Sequence, residues 1–148
     1  MPALTVVRVL ASDLSAAQVY EVWRIRDAVF SVEQNCREED VDGVDLRDDC
    51  VHLWIADDSG QLRSYARVYS EDGHIRLGRV ATRASDRGLG LSTTILERVI
   101  ADWGDQEIAI HAQAHLENWY AKFGFEVNGA PFVEADIDHV PMLRAAGS

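Results

Sequence analysis

The residues best suited to chemistry lie at Arg87-Gly88-Leu89-Gly90-Leu91-Ser92, between a predicted strand and a predicted helix. Gly88 and Gly90 let the backbone take positive φ and approach a ligand with no Cβ in the way. A helix opening at Leu91 presents unsatisfied N–H groups and the positive end of its dipole, which suits a pyrophosphate. Arg87 adds a planar donor for phosphate oxygens. An ordinary loop turn would use the same residues. A dinucleotide-binding turn wants a third glycine where Thr93 stands and a parallel β-α-β start, and a Walker loop wants Gly-Lys-Ser/Thr; neither is present. Histidine is the usual general base near neutral pH. His115 follows a predicted strand, with His111 and His139 as alternatives, though a lone histidine is also commonly structural. Cys36, Cys50 and His52 lack a second close ligand pair, and His111-x-x-x-His115 spans a strand end instead of a helix face, so no metal site is expected.

These residues need a scaffold. Thr5 to Leu10 reads as a β-branched strand, and Ser12 or Asp13 is placed to cap the helix that follows. Val19, Val22, Trp23, Arg26, Val29 and Phe30, at spacings of three and four, predict that helix. Gln34 to Cys50 is a polar loop with an Asp42-Gly43 turn. Val51–Ala56 and Leu62–Tyr69 form a predicted hairpin, and Ile75–Thr82 is the next strand. Leu91, Ile95, Leu96, Val99, Ile100 and Trp103 mark an amphipathic helix ending near Gly104. Strand 107–112, a short helix 117–123 stopped by Gly124, and the strands 125–127 and 139–143 complete the order β-α-β-β-β-α-β-α-β-β. This is an α+β pattern, expected as a single domain over 1–148. The four tryptophans fall mainly at core-phase positions and read as packing. Arg67 and Arg79 lie on predicted central strands, where an unpaired guanidinium is unfavourable to bury. Each calls for Glu33 or Asp42 as partner, or for a carboxylate on an acceptor.

Fourteen basic against twenty-five acidic side chains give a net charge of −11, which argues against sequence-independent binding to nucleic acid and fits a cationic small molecule or basic peptide. Between Glu33 and Asp49, eight acids face only Arg37 and Arg47. That run is either a solvated acidic loop or a rim that attracts an amine. No apolar run approaches the roughly 18 residues of a membrane span, and no secretory leader is evident, so a cytoplasmic location is expected. Two cysteines make no disulfide framework.

The Arg-Gly-x-Gly-x-Ser turn, followed some thirty residues later by Tyr120-Ala121-Lys122-Phe123-Gly124-Phe125, resembles the GNAT N-acetyltransferase superfamily. Its first motif, Gln/Arg-x-x-Gly-x-Gly/Ala, is matched by Arg87, Gly90 and Ser92, the serine being a mild departure. Phe30-x-x-Glu33-Gln34-x-Cys36, Asp42-Gly43-x-Asp45, Gly78-Arg79-Val80, Ala112-Gln113-Ala114-His115-Leu116 and His139 resemble the ElaA-like subgroup over about residues 20–143; Arg37-Glu38 departs from its usual Pro-Tyr. The resemblance implies a central mixed, mostly antiparallel sheet flanked by helices and splayed at the fourth strand. It implies that Arg87, Gly88, Leu89, Gly90, Leu91 and Ser92 cradle the pyrophosphate of acetyl-CoA and that the backbone of Val80, Ala81 and Thr82 pairs with the pantetheine arm, with the Thr82 N–H on the oxyanion. Asn118 would bond the pantetheine or cap its helix. Tyr120 would protonate the leaving sulfur or, on the plainer reading, pack against the sheet. Glu33 or His115 would be the base, and Glu33, Asp42, Arg79 and His139 would contact the acceptor, helped by Glu134 and Asp136. The implied activity is direct acetyl transfer from acetyl-CoA to a small-molecule or peptide amine in a ternary complex, without metal. The alternative is a non-catalytic acyl-CoA sensor. Homodimers are frequent in the superfamily, and the first helix or the last strands would serve as the interface.

Overall fold

The computed structural model describes residues 4–147; residues 1–3 and 148, the ends of the expected domain span, lie outside the described residues. The elements in chain order are β1 (Val7–Leu10), α1 (Ala16–Arg26), β2 (Val51–Ala56), β3 (Leu62–Glu71), β4 (His74–Thr82), α2 (Leu91–Trp103), β5 (Ile108–Gln113), α3 (Glu117–Ala121), β6 (Phe125–Val127), β7 (Phe132–Glu134) and β8 (Ile137–Arg144). The sheet runs β1-β2-β3-β4-β5-β8-β6, with β7 also on β8, and every pairing is antiparallel except β4 with β5.

Alternation along the strands sends one set of side chains to each face. Leu53, Ala66, Val68 and Leu77 pack with Ile95, Leu96 and Val99 of α2. Trp54, Tyr65 and Ala81 meet Val22, Ile25 and Val29 of the first helix on the other face. Trp23 stands off this stripe at 41% exposure, so the reading of the tryptophans as packing holds for Trp54 but not for Trp23.

The cap of α1 is Ser15, not Ser12 or Asp13. Ala11–Asp13 form a 3-10 turn with Ala11 buried, which delays the helix. The Ser15 hydroxyl then accepts from the Gln18 N–H while the Gln18 side chain accepts from the Ser15 N–H, a reciprocal box. Past Arg26 the helix widens into π turns over Asp27–Glu33, so the chain leaves it toward the sheet's open end. The pattern of the sequence missed β7. Its turn to β8 uses Ala135 and Asp136, both at positive φ (52° and 61°), where the usual Asn-Gly signal is absent. Among the described residues no helix is long and apolar enough to cross a membrane.

Candidate active site

Among the described residues, strand β4 pairs with β5 only at Ile75–Ile108 and Arg76–Ala109; β5 stays on β8 along its whole length, while β4 runs on beside β3. The sheet therefore splays open. β4 also bulges: Tyr65 faces Ala81 but Arg67 faces Gly78, so Arg79 and Val80 together oppose Ala66. Arg79 takes a φ of 53°, a left-handed conformation that a non-glycine residue adopts only when its surroundings hold it there. A bulge leaves backbone unpaired, and here it does so upstream of Thr82, the expected oxyanion donor. The splay and bulge form one wall of a cleft of about 430 Å³ whose lining includes Leu77, Gly78, Val80, Ile110, Leu116 and Tyr120.

The glycine turn lies at the end of this strand. Gly88 and Gly90 have φ of 81° and 77°, and Gly90 caps α2 with no side chain bonding the helix's first N–H groups. Those groups are available to an anion. Arg87 is anchored beside them: its Nε donates to the Thr82 carbonyl at 3.1 Å and its guanidinium forks onto the Glu33 carboxylate. The Arg87 hydrogen bond holds the Glu33 carboxyl below the usual range. Ser92 turns inward, with its hydroxyl 2.6 Å from that of Thr82, which in turn lies 2.8 Å from that of Ser64.

Tyr120 reaches the cleft from α3. Its ring packs edge-on against Trp119 and Phe125, and burial pushes the phenol well above its ordinary pKa. The phenol is thus held protonated, an acid with its hydrogen in place.

The acidic loop proves largely neutralised from within. Arg26, fully buried, donates to Asp40 at 2.9 Å and to Asp45. Arg67 forks onto Asp42 at 2.6 and 2.9 Å and reaches Asp45 at 2.9 Å, while Arg79 donates to Asp40 at 3.0 Å. Burial alone would raise the Asp42 and Asp45 carboxyls, but the hydrogen bonds and charges of these arginines outweigh it and hold both below the carboxylate range. The intramolecular partner expected for Arg67 and Arg79 is thus Asp42, joined by Asp40 and Asp45, and not Glu33. Below them His52 donates from Nε2 to the Asp45 carbonyl at 2.8 Å, which leaves Nδ1 to accept from the Tyr65 hydroxyl at 2.6 Å.

Of the expected site residues, Asp42, Arg79, Val80, Tyr120 and His139 meet in the cleft. Glu33 does not line it, being turned onto Arg87 beside the glycine turn. His115 is exposed on a 3-10 turn outside the cleft, because β5 ends at Gln113 and the chain bends away before the ring. Asn118 is exposed inside α3, whose cap residue is Leu116, so it caps nothing. His111, Glu134 and Arg76, by contrast, line the cleft wall beside His139. Sequence spacing counted Arg26 among the helix-defining residues and gave it no partner, although a charge in the apolar phase of a helix was the visible signal. Cys50 approaches His52 at 3.5 Å, and among the described residues no three His, Cys, Asp or Glu side chains gather as metal ligands.

A family model described as an acetyltransferase (GNAT) domain matches residues 10–145. A UPF0039 protein of Mycobacterium tuberculosis is 38% identical over 141 residues, covering 93% of this chain and 90% of that protein. The protein ElaA of Escherichia coli is 38% identical over 142 residues, covering 90% and 91%. In its crystal structure ElaA superposes with a TM-score of 0.84 over 96% of this chain and 99% of its own. An acyl-CoA N-acyltransferase from Pseudomonas aeruginosa superposes with a TM-score of 0.90 at 35% identity, over 97% of this chain and 100% of that one.

Proposed function

The chain belongs to the GNAT acetyltransferase family and has its acyl-CoA N-acyltransferase fold, and from that premise we propose that residues 1–148 act as one acetyl-CoA-dependent N-acetyltransferase domain that transfers acetyl directly to a small-molecule or peptide amine in a ternary complex. The observation that carries the reading is the splayed edge of β4 facing the burial-protonated phenol of Tyr120 across one cleft.

The parts follow from chemistry. The Gly88–Ser92 turn and the α2 N-terminus take the pyrophosphate through N–H groups, with Arg87 beside them and Glu33 orienting Arg87. The open edge of β4 from Val80 to Thr82 pairs with the amides of the pantetheine arm, as an added strand would. Backbone N–H groups of the bulged strand stabilise the oxyanion as the thioester carbonyl is attacked. Tyr120 gives its proton to the departing thiolate, which lowers the barrier to C–S cleavage. The cleft's surplus of carboxylates over arginines favours a cationic acceptor. The reading extends to a cytoplasmic protein and to a homodimer through α1, where Tyr20 and Trp23 are exposed.

The test is thiol release from acetyl-CoA with a panel of amines, polyamines and basic peptides, alongside calorimetric binding of acetyl-CoA. Tyr120→Phe is expected to lower kcat by about 10²–10⁴-fold, the usual worth of an acid catalyst, and to leave the acetyl-CoA Kd within about twofold. Binding without release from any acceptor would favour the sensor. Failure to bind acetyl-CoA would overturn the donor assignment itself.

A further inference from the structure

The amine must lose a proton before it attacks, and the hydrogens of the cleft wall say where that proton goes. Resting on the transferase reading above, we propose that His139 is the base for the acceptor and that Glu134 holds the acceptor's ammonium group against it.

His139 is 7% exposed, and its Nδ1 lies 2.7 Å from the Ile137 carbonyl. A carbonyl only accepts, so Nδ1 carries a hydrogen, and in the neutral ring, the form a base requires, Nε2 carries the lone pair. Stacking on Phe132, with centroids 5.6 Å apart and planes at 23°, keeps the ring from turning. That lone pair stands 3.7 Å from Glu134 Oε2. In that form two acceptors face each other.

The other oxygen of Glu134 is answered differently. His111 Nε2 lies 3.2 Å from Arg76 Nη2, and a guanidinium only donates, so His111 carries its hydrogen on Nδ1. Glu134 Oε1 lies 3.6 Å from that nitrogen. Glu134 is left with one oxygen served by His111 and one facing the His139 lone pair. An ammonium group has three N–H donors and fills this gap, giving one to Glu134 Oε2 and one to His139 Nε2. The third then points along the cleft shared with Val80 and Tyr120.

The charged and titratable groups facing the pair are Arg76 and Arg79 from β4, His111 from β5, and Glu38 from the acidic loop, whose Oε1 accepts from the Ala135 N–H at 3.2 Å. Asp136 and Asp138, on the hairpin itself, are exposed. The His111 ring beside Glu134 outweighs burial and holds its carboxyl below the usual range, so it is an anion when the ammonium arrives.

The protons balance. The ammonium gives one proton to His139 Nε2, forming an imidazolium that returns it to solvent. The freed nitrogen lone pair bonds to the thioester carbon, the C–S bond breaks, and the thiolate takes the Tyr120 hydrogen. The second proton of the attacking nitrogen restores Tyr120. The sum is ammonium plus acetyl-CoA giving amide, CoA thiol and one proton.

The experiment uses His139→Gln and Glu134→Gln with n-butylamine and spermidine as acceptors, and follows the His139 Nε2 resonance by NMR in the CoA-bound protein. His139→Gln is expected to lower kcat/KM about 10²-fold or more and to abolish the acidic limb of its pH profile, with acetyl-CoA affinity unchanged. Glu134→Gln, at a half-exposed side chain that folding does not need, is expected to raise the acceptor KM tenfold or more and to change kcat less. Both amines are expected to shift the Nε2 resonance of the unmutated protein. Retention of both the rate and the acidic limb in His139→Gln would overturn the base while leaving the transferase standing. No turnover by the unmutated protein, with the resonance still shifted, would overturn the transferase and keep the ammonium site. No turnover and no shift would overturn both.

Discussion

Two tyrosines show how one residue type is assigned two tasks. Tyr65 is fully buried and its hydroxyl is committed to His52 at 2.6 Å, so it serves the scaffold. Tyr120 is similarly raised in pKa by burial, but it lines the cleft, where the proposed transfer wants an acid. Asp45 is the corresponding test for the scaffold. Its Oδ1 receives both Arg26 and Arg67, guanidiniums from α1 and β3 that have no water to turn to. Removing that charge leaves Arg26 with Asp40 and Arg67 with Asp42 but takes a charged partner from each, and a hydrogen bond to a charged group is worth about 1.5–3 kcal/mol. Asp45→Asn is therefore expected to lower unfolding stability by about that amount in urea titration. Asp49→Asn, whose partners are exposed, should change it by under about 1 kcal/mol.

At the scale of elements, the proposed site depends on two departures from regularity, one within β4 and one at the start of α2. The β4 bulge turns unpaired backbone to the cleft, and Gly90, at φ 77°, turns the chain into α2. An added Cβ at Gly90 meets nothing within 4 Å, so the effect of Gly90→Ala is conformational and not steric. A left-handed alanine costs about 1–2 kcal/mol, and relieving it reorients the first N–H groups of α2, the proposed pyrophosphate donors. The expected outcome is a loss of about 1 kcal/mol in stability together with weaker acetyl-CoA binding by calorimetry. Gly78→Ala, at ordinary φ with equally open space, should leave stability unchanged.

For the whole molecule, the net charge of −11 conceals an internal arrangement. Acids of the loop and arginines of α1, β3 and β4 tie the loop to the sheet as a wall of the cleft. This sets the response to acid. His52, lowered in pKa by burial, stays neutral in the fold, so below about pH 6.5, the ordinary histidine value, the unfolded chain binds the extra proton and stability starts to fall. Asp42 and Asp45 have depressed folded pKa values, so their contribution is present above about pH 4 and is lost as pH drops further. Both slopes have the same sign. Urea midpoints are expected to decline gently from pH 7 to 5 and steeply below 4, and His52→Gln, which removes the titrating ring, should remove the gentle part.

Much of the fold was legible because its signals are local. Helical spacing placed α2, alternation and turn residues placed β2 to β5, and the glycine turn stood out because few residues tolerate positive φ. The motif pair around Ser92 and Tyr120 likewise pointed to the family that the comparisons then showed. What was decided only in three dimensions is long-range. The residues that answer Arg26 and Arg67 lie up to 25 positions away, and which acid takes which arginine depends on how the loop folds back over the sheet. His115 and His139 are both histidines near strands, yet β5 ends before the first, leaving it exposed, while the pairing of β8 with β5 and β7 seats the second in the cleft. Chain order determines residue type and local geometry; the splay of β4 from β5, which no local pattern encodes, determines which of those residues share a cleft.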